Sequence, residues 1–68
     1  MLDFSNRLRE LRNEKKVSQQ QLADFLGLHQ TTVKDWETKG NQPKYEILIK
    51  TAQFFNVTVG QLLGTEEL

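Results

Sequence analysis

Four side chains of different hydrogen-bonding character crowd the stretch LGLHQTTVKDWETKG, residues 26–40: the amide of Gln30, the hydroxyl of Thr31, the ammonium of Lys34 and the carboxylate of Asp35. The amide and the hydroxyl both donate and accept, the ammonium only donates, and the carboxylate only accepts. Such a set suits the exchange of hydrogen bonds with a patterned partner, and the plain alternative is a solvated helix start. Covalent chemistry is not supported, because the chain has one His and no Cys. It also has no glycine-rich phosphate loop and no converging carboxylates. No catalytic residue, cofactor or metal ligand is expected; His29, without a second His or any Cys, is a poor metal-site candidate.

For these four side chains to act together they need a helix, since residues three and four apart share a helical face. The pattern predicts one from about Gln30 to Thr38. Val33, Trp36 and Glu37 lie on one side, Thr31, Lys34, Asp35 and Thr38 roughly opposite, and Gln30 projects from the N-terminal end. Trp36 is read as the core anchor of this helix. Upstream, Ser18 and Gln21 have the spacing of a capping box, and Gly27 suits a left-handed stop, so Ser18 to Leu26 reads as a short helix burying Leu22, Ala23 and Leu26. Phe4, Leu8 and Leu11 mark a first helix ending near Lys16.

Downstream, Gly40 suits a C-cap and KGNQPK reads as a loop. Pro43 is expected in the first turn of a fourth helix that carries Ile47, Leu48, Ala52 and Phe55 inward. Asn56 can take the left-handed residue that ends it. Thr58 and Gln61 repeat the capping-box spacing and open a last short helix with Val59, Leu62 and Leu63 before Gly64. Five short helices account for the whole chain, so residues 1–68 read as a single all-α domain.

Sixty-eight residues lie near the lower size for folding without staples, and the absence of Cys leaves only compact packing. No apolar run approaches the roughly 20 residues that span a bilayer, and MLDFSNRLRE does not resemble a secretion signal. A soluble, cytoplasmic protein without membrane contact is the expectation. Nine basic side chains balance nine acidic ones, so the total charge does not point to a polyanion. The distribution is uneven: residues 1–17 carry five basic and three acidic groups. The front half therefore reads as the likelier anion-facing part.

Two short helices joined by a tight Gly-containing turn, the second with a Gln-, Thr- and Lys-bearing face, have the sequence form of a helix-turn-helix. A major groove admits one helix whose entering face offers polar side chains to the base edges. Gln30 suits adenine, Thr31 a thymine methyl or an acceptor, and Lys34 guanine or a phosphate.

The chain resembles the Cro and phage-repressor type of helix-turn-helix protein. The likeness runs through RLRELRNEKKVSQQQLADFLGLHQTTVKDWETKG and PKYEILIKTAQFFNVTVGQLL, nearly all of the sequence, and rests on SQQQLA, TTVKDWE and NVTVGQLL in that order. It implies a compact five-helix, lambda-repressor-like DNA-binding domain whose second and third helices form the motif. By the same resemblance Gln30, Thr31, Lys34 and Asp35 read bases. Gln19 contacts a phosphate and braces the start of the third helix, while Lys39, Asn41, Gln42 and Lys44 hold the DNA backbone, with His29 near a phosphate. Arg12 and Glu37 match a largely buried ion pair joining the first helix to the third. The implied partner is a double-stranded DNA operator.

Three positions depart from the family pattern. His29 stands where Ser or Thr is common, which weakens capping. Asp35 stands where a neutral or basic reader is usual; phosphates repel an acid unless it accepts from cytosine. Lys44 replaces a Ser or Thr cap, and a cation at a helix N-terminus is unfavourable unless a phosphate lies nearby.

The remaining readings are plainer. The RNEKK cluster is a solvated helix end. The GTEEL tail is a frayed end, or the point where a longer protein continues into an additional domain. Phe54 and Phe55 cannot both face inward from one helix, so Phe54 is expected to be partly exposed. With Leu63 and Leu68 it would contribute to a homodimer patch in the C-terminal helix region. Repression by operator occupancy is the expected function. The alternative is a protein-interaction module of the same fold, as in an antitoxin, adaptor or coactivator, or a domain that needs a partner protein.

Overall fold

The computed structural model describes residues 3–68, and their helices begin and end where side chains or left-handed residues satisfy the backbone. In chain order they are α1 (Phe4–Lys15), α2 (Gln19–Leu26), α3 (Gln30–Thr38), α4 (Tyr45–Phe55) and α5 (Val59–Leu63). Ser18 and Thr58 each accept a hydrogen bond from the amide three residues on, and Gln21 and Gln61 return it, so both predicted capping boxes are closed. Four helix ends share one form. Lys16, Gly27, Asn56 and Gly64 turn left-handed, and the amides of Val17, Leu28, Val57 and Thr65 reach back to Arg12, Ala23, Ala52 and Gly60 at 2.8, 2.9, 3.0 and 2.9 Å.

Helices of this length are marginal in water on their own, so packing must hold them. Leu8, Leu22, Val33 and Leu62 are completely buried, each from a different helix, and Phe4, Leu11, Ala23, Leu26, Trp36, Leu48, Ala52 and Phe55 complete the core. At about 1.5–3 kcal/mol for each large apolar side chain, this shared core is the main stabilising term. Phe4 meets Trp36 with ring centroids 6.2 Å apart, which joins α1 to α3. No helix among the described residues is long and apolar enough to cross a membrane.

Expectations at the end of α3 and in α4 are corrected. Pro43 lies before α4 instead of in its first turn: Lys44 is the extended N-cap, and its carbonyl accepts from Ile47 and Leu48 at 3.0 Å each. With that register Thr51 is fully buried where Ile47 is only half-buried, and the Thr51 hydroxyl is satisfied by the Ile47 carbonyl at 2.7 Å. Gly40 is left-handed as expected, but it follows Lys39, which is the residue that caps α3.

The tail is tied down. The amides of Thr65 and Glu66 bond the Gly60 carbonyl at 2.9 and 3.2 Å, Thr58 donates to the Glu66 carboxylate, and Gln61 donates to the Glu67 carbonyl at 2.9 Å. Glu66 fills the place where a side chain on residue 60 would stand, which only Gly leaves open. Phe54 is half-buried and packs at a tilt against Phe25, ring centroids 4.7 Å apart, Phe25 being the more exposed ring at 57%.

Candidate nucleic-acid interface

Each side of α3 has a separate task. Val33, Trp36 and Glu37 are buried against α1 and α2, while Thr31, Lys34 and Thr38 are exposed on the opposite face and Asp35 is half-buried beside them. The tight turn from Gly27 to His29 sets the entry of α3. His29 is extended and makes no side-chain cap bond, so the departure seen in the sequence leaves the first-turn amides of α3 without a side-chain acceptor. Lys44 likewise provides no side-chain cap for α4, where Glu46 in the first turn supplies the favourable charge. Free amides at a helix start are ready anion ligands.

Arg12 and Glu37 form the ion pair that the resemblance implied. Arg12 Nε and Nη2 donate to Glu37 Oε2 and Oε1 at 2.5 and 2.8 Å, and the two side chains are only 12% and 2% exposed. The hydrogen bond to Glu37 raises the Arg12 pKa above its ordinary value against the opposing effect of burial, and the nearby carboxylate charge adds to the rise. A third Arg12 bond, Nη1 to the Val17 carbonyl at 2.9 Å, ties the end of α1 to the turn before α2.

The structure extends this pair further than the sequence foretold. Gln19 Nε2 donates to Glu37 Oε1 at 3.1 Å, and Gln30 Nε2 donates to Gln19 Oε1 at 2.6 Å. Polar contacts therefore run unbroken from α1 through α3 and α2 to the first residue of α3. The bracing of Gln30 by Gln19 was legible from the resemblance. The contact of Gln19 with Glu37 had no sequence signal, because it joins residues eighteen apart on different helices.

The other candidates are placed less tightly. Asp35 and Lys39 form an ion pair at 3.7 Å one helical turn apart. Such an exposed pair contributes only about 0–1 kcal/mol, yet it offsets the negative charge of Asp35 on the polar face. Lys39, Asn41, Gln42 and Lys44 are all exposed in the connection from α3 to α4.

Much of the positive charge of the front half, read from the sequence as the likelier anion-facing part, is engaged within the fold. Arg7 donates to the Gln61 carbonyl at 2.7 Å and the Glu66 carbonyl at 3.3 Å, Arg9 to Asn6 and the Glu37 carbonyl, and Arg12 to Glu37. Guanidinium groups with several donors find carbonyl oxygens at helix ends, so these three staple helices together. Arg9 stays exposed despite these bonds, as do Lys15 and Lys16.

A tight turn between α2 and α3, with α3 anchored on one side and polar on the other, defines a helix-turn-helix domain of the lambda-repressor-like fold. Residues 8–62 match the helix-turn-helix family, and the chain belongs to its Cro and phage-repressor type.

Two relatives and one solved structure illustrate the likeness. The chain is 37% identical over 67 residues to the HTH-type transcriptional activator BcrR of Enterococcus faecalis, covering 98% of this chain and 33% of the relative. It is 31% identical over 64 residues to the cryptic phage CTXphi transcriptional repressor RstR of Vibrio cholerae, covering 94% and 58%. The chain thus spans between one third and somewhat over half the length of these relatives. A crystal structure of the P22 c2 repressor protein bound to a synthetic operator superposes with a TM-score of 0.84 at 22% identity, covering 93% of this chain and 96% of that one. That likeness bears on the fold.

Proposed function

We infer that this domain binds double-stranded DNA sequence-specifically, with α3 in the major groove of an operator, and acts as a transcriptional repressor by excluding polymerase. The observation that carries the reading is the exposed polar face of α3, with the Gln30 amide held at its start by Gln19. A rigidly mounted helix with donors and acceptors on one face suits base edges, which present a fixed pattern of both. Gln30, Thr31, Lys34 and Asp35 face the bases, while Gln19, His29, Lys39, Asn41, Gln42 and Lys44 position the backbone. The relatives named as a transcriptional activator and a transcriptional repressor support DNA regulation as the general role.

The role proposed is binding, in keeping with a family match to helix-turn-helix proteins and relatives named as transcriptional regulators. The protein works in the cytoplasm as a homodimer joined through the C-terminal helix region, reading two half-sites about one DNA turn apart. Half-buried Leu63 and exposed Leu68 support that interface.

Selection of bound molecules from a pool of randomised duplexes tests the reading directly. An enriched palindrome is the expected result. Salt-sensitive background binding without enrichment would move the function to a protein-docking module, for which the net charge of zero and exposed Phe25 are the favouring observations.

Two substitutions separate base readers from backbone contacts. Gln30→Ala is expected to cost about 1–3 kcal/mol on the selected operator and to relax preference at one base position. Equal loss on operator and random duplex, measured by fluorescence anisotropy, would contradict a reading role. Lys44→Ala is expected to weaken all duplexes alike and to reduce the salt dependence by about one unit of slope; a loss confined to the operator would place Lys44 among the base readers.

A further inference from the structure

Glu37 is half of a buried ion pair with Arg12, and its second acceptor duty, toward Gln19, has a directional consequence. A carboxylate engaged by a guanidinium offers acceptors only. The Gln19 atom that faces Glu37 Oε1 at 3.1 Å must therefore be the amide nitrogen, which turns the Gln19 oxygen outward. That oxygen meets Gln30 at 2.6 Å, and an oxygen there accepts only, so Gln30 must present its nitrogen to Gln19. The orientation of each amide is dictated by the group behind it, and the origin of the order is the buried carboxylate, 2% exposed and clamped by Arg12.

One of the two N–H groups of Gln30 is thereby consumed. What remains for a base is one donor and one acceptor. Adenine displays one of each in the major groove, at N6 and N7, whereas guanine displays two acceptors, N7 and O6. A Gln side chain free to turn can offer both of its N–H groups and so satisfy guanine as well. With one donor already spent on Gln19, it cannot.

We propose that Glu37 is a positioning residue for base selection: acting through Gln19, it orients the Gln30 amide so that the domain prefers adenine over guanine at the position Gln30 reads. This rests on the major-groove reading above. Glu37 itself touches no base. Its effect is exerted by removing alternatives, so it belongs to discrimination more than to affinity.

The test uses the base position at which Gln30→Ala relaxes preference, with duplexes carrying adenine or guanine there. Two variants break the relay at different points. Arg12→Leu/Glu37→Leu replaces the buried pair by apolar groups, an exchange that buried pairs often tolerate without loss of stability. Gln19→Met removes the intermediate amide and leaves the ion pair in place. In both, the adenine-over-guanine ratio is expected to fall about tenfold, the scale of one bidentate contact, while preferences at the positions read by Lys34 and Asp35 hold. Unchanged discrimination in either variant, or an equal fall at every position, would overturn the proposal.

A second readout needs no DNA. In the free wild-type domain the side-chain NH₂ protons of Gln19 and Gln30 are expected to give dispersed, slowly exchanging NMR signals, which move to the positions of solvated amides in Arg12→Leu/Glu37→Leu. Solvated-amide signals in the wild type would overturn the relay whatever the DNA result. Failure of the duplex selection with ordered amides would instead sink the DNA-binding reading and leave the relay standing.

Discussion

Trp36→Ala is expected to remove about 3–5 kcal/mol of folding stability, from about a third to all of the roughly 3–10 kcal/mol that a domain of this size holds in total. The side chain is 4% exposed and meets Phe4 across the junction of α1 and α3, and its backbone carbonyl accepts the Ser5 hydroxyl. Nothing else in α3 replaces it. The remaining apolar contact of that helix is Val33, and Glu37 beside it is charged. The cavity left by an indole cannot be closed by short helices already in contact, so the loss includes a cavity contribution as well as the lost burial. Urea denaturation followed by far-UV circular dichroism measures the effect, since the substitution also removes the single Trp as a fluorescence reporter. A loss below about 1 kcal/mol, the range of surface positions, would show that α3 is held by something other than its aromatic anchor.

Glu37→Ala is expected to be comparably damaging, at about 3 kcal/mol, the lower end of the range for breaking a buried pair, because Arg12 keeps some contact with water. Three donors lose their acceptor at once, two from Arg12 and one from Gln19. Arg12 retains the Val17 carbonyl, which satisfies one N–H and leaves the positive charge unmatched. The apolar double replacement Arg12→Leu/Glu37→Leu is expected to recover most of the stability, since it removes the charge together with its partner. Denaturation midpoints of the single and double variants decide the point. If the double variant were less stable than Glu37→Ala alone, the pair would be contributing more than mutual neutralisation.

Local signals in the sequence located the helices accurately because caps act over three or four residues. Ser18 with Gln21 and Thr58 with Gln61 close in the structure as their spacing implies. The start of α4 is not legible in the sequence, for a related reason. Pro43 is compatible with a first turn, but it is equally compatible with the extended residue before a cap, and Lys44 gives no capping side chain to decide between them. Thr51 carries no sequence mark of burial because a hydroxyl reads as polar, although bonding to its own helix permits full burial. The tail reads as frayed from the sequence because acidic residues near a chain end carry no pairing information; Glu66 and Thr58 meet because α5 and the turn after it set them side by side.

The candidate site divides in the same way. Which residues stand on the polar face of α3 follows from the helical period and one aromatic anchor, and the pairing of Arg12 with Glu37 followed from the resemblance. The use of Arg7, Arg9 and Arg12 as internal staples did not, since a guanidinium on a helix surface carries no mark of which carbonyl will lie opposite. By itself the sequence determined the all-α class, the helix boundaries to within a residue or two, and the residues that α3 turns outward. Periodicity and capping are properties of neighbours along the chain. Only the tertiary structure decided that Glu37, Gln19 and Gln30 touch in that order, because hydrogen bonds between separate helices depend on crossing geometry, which is set by how the whole core packs.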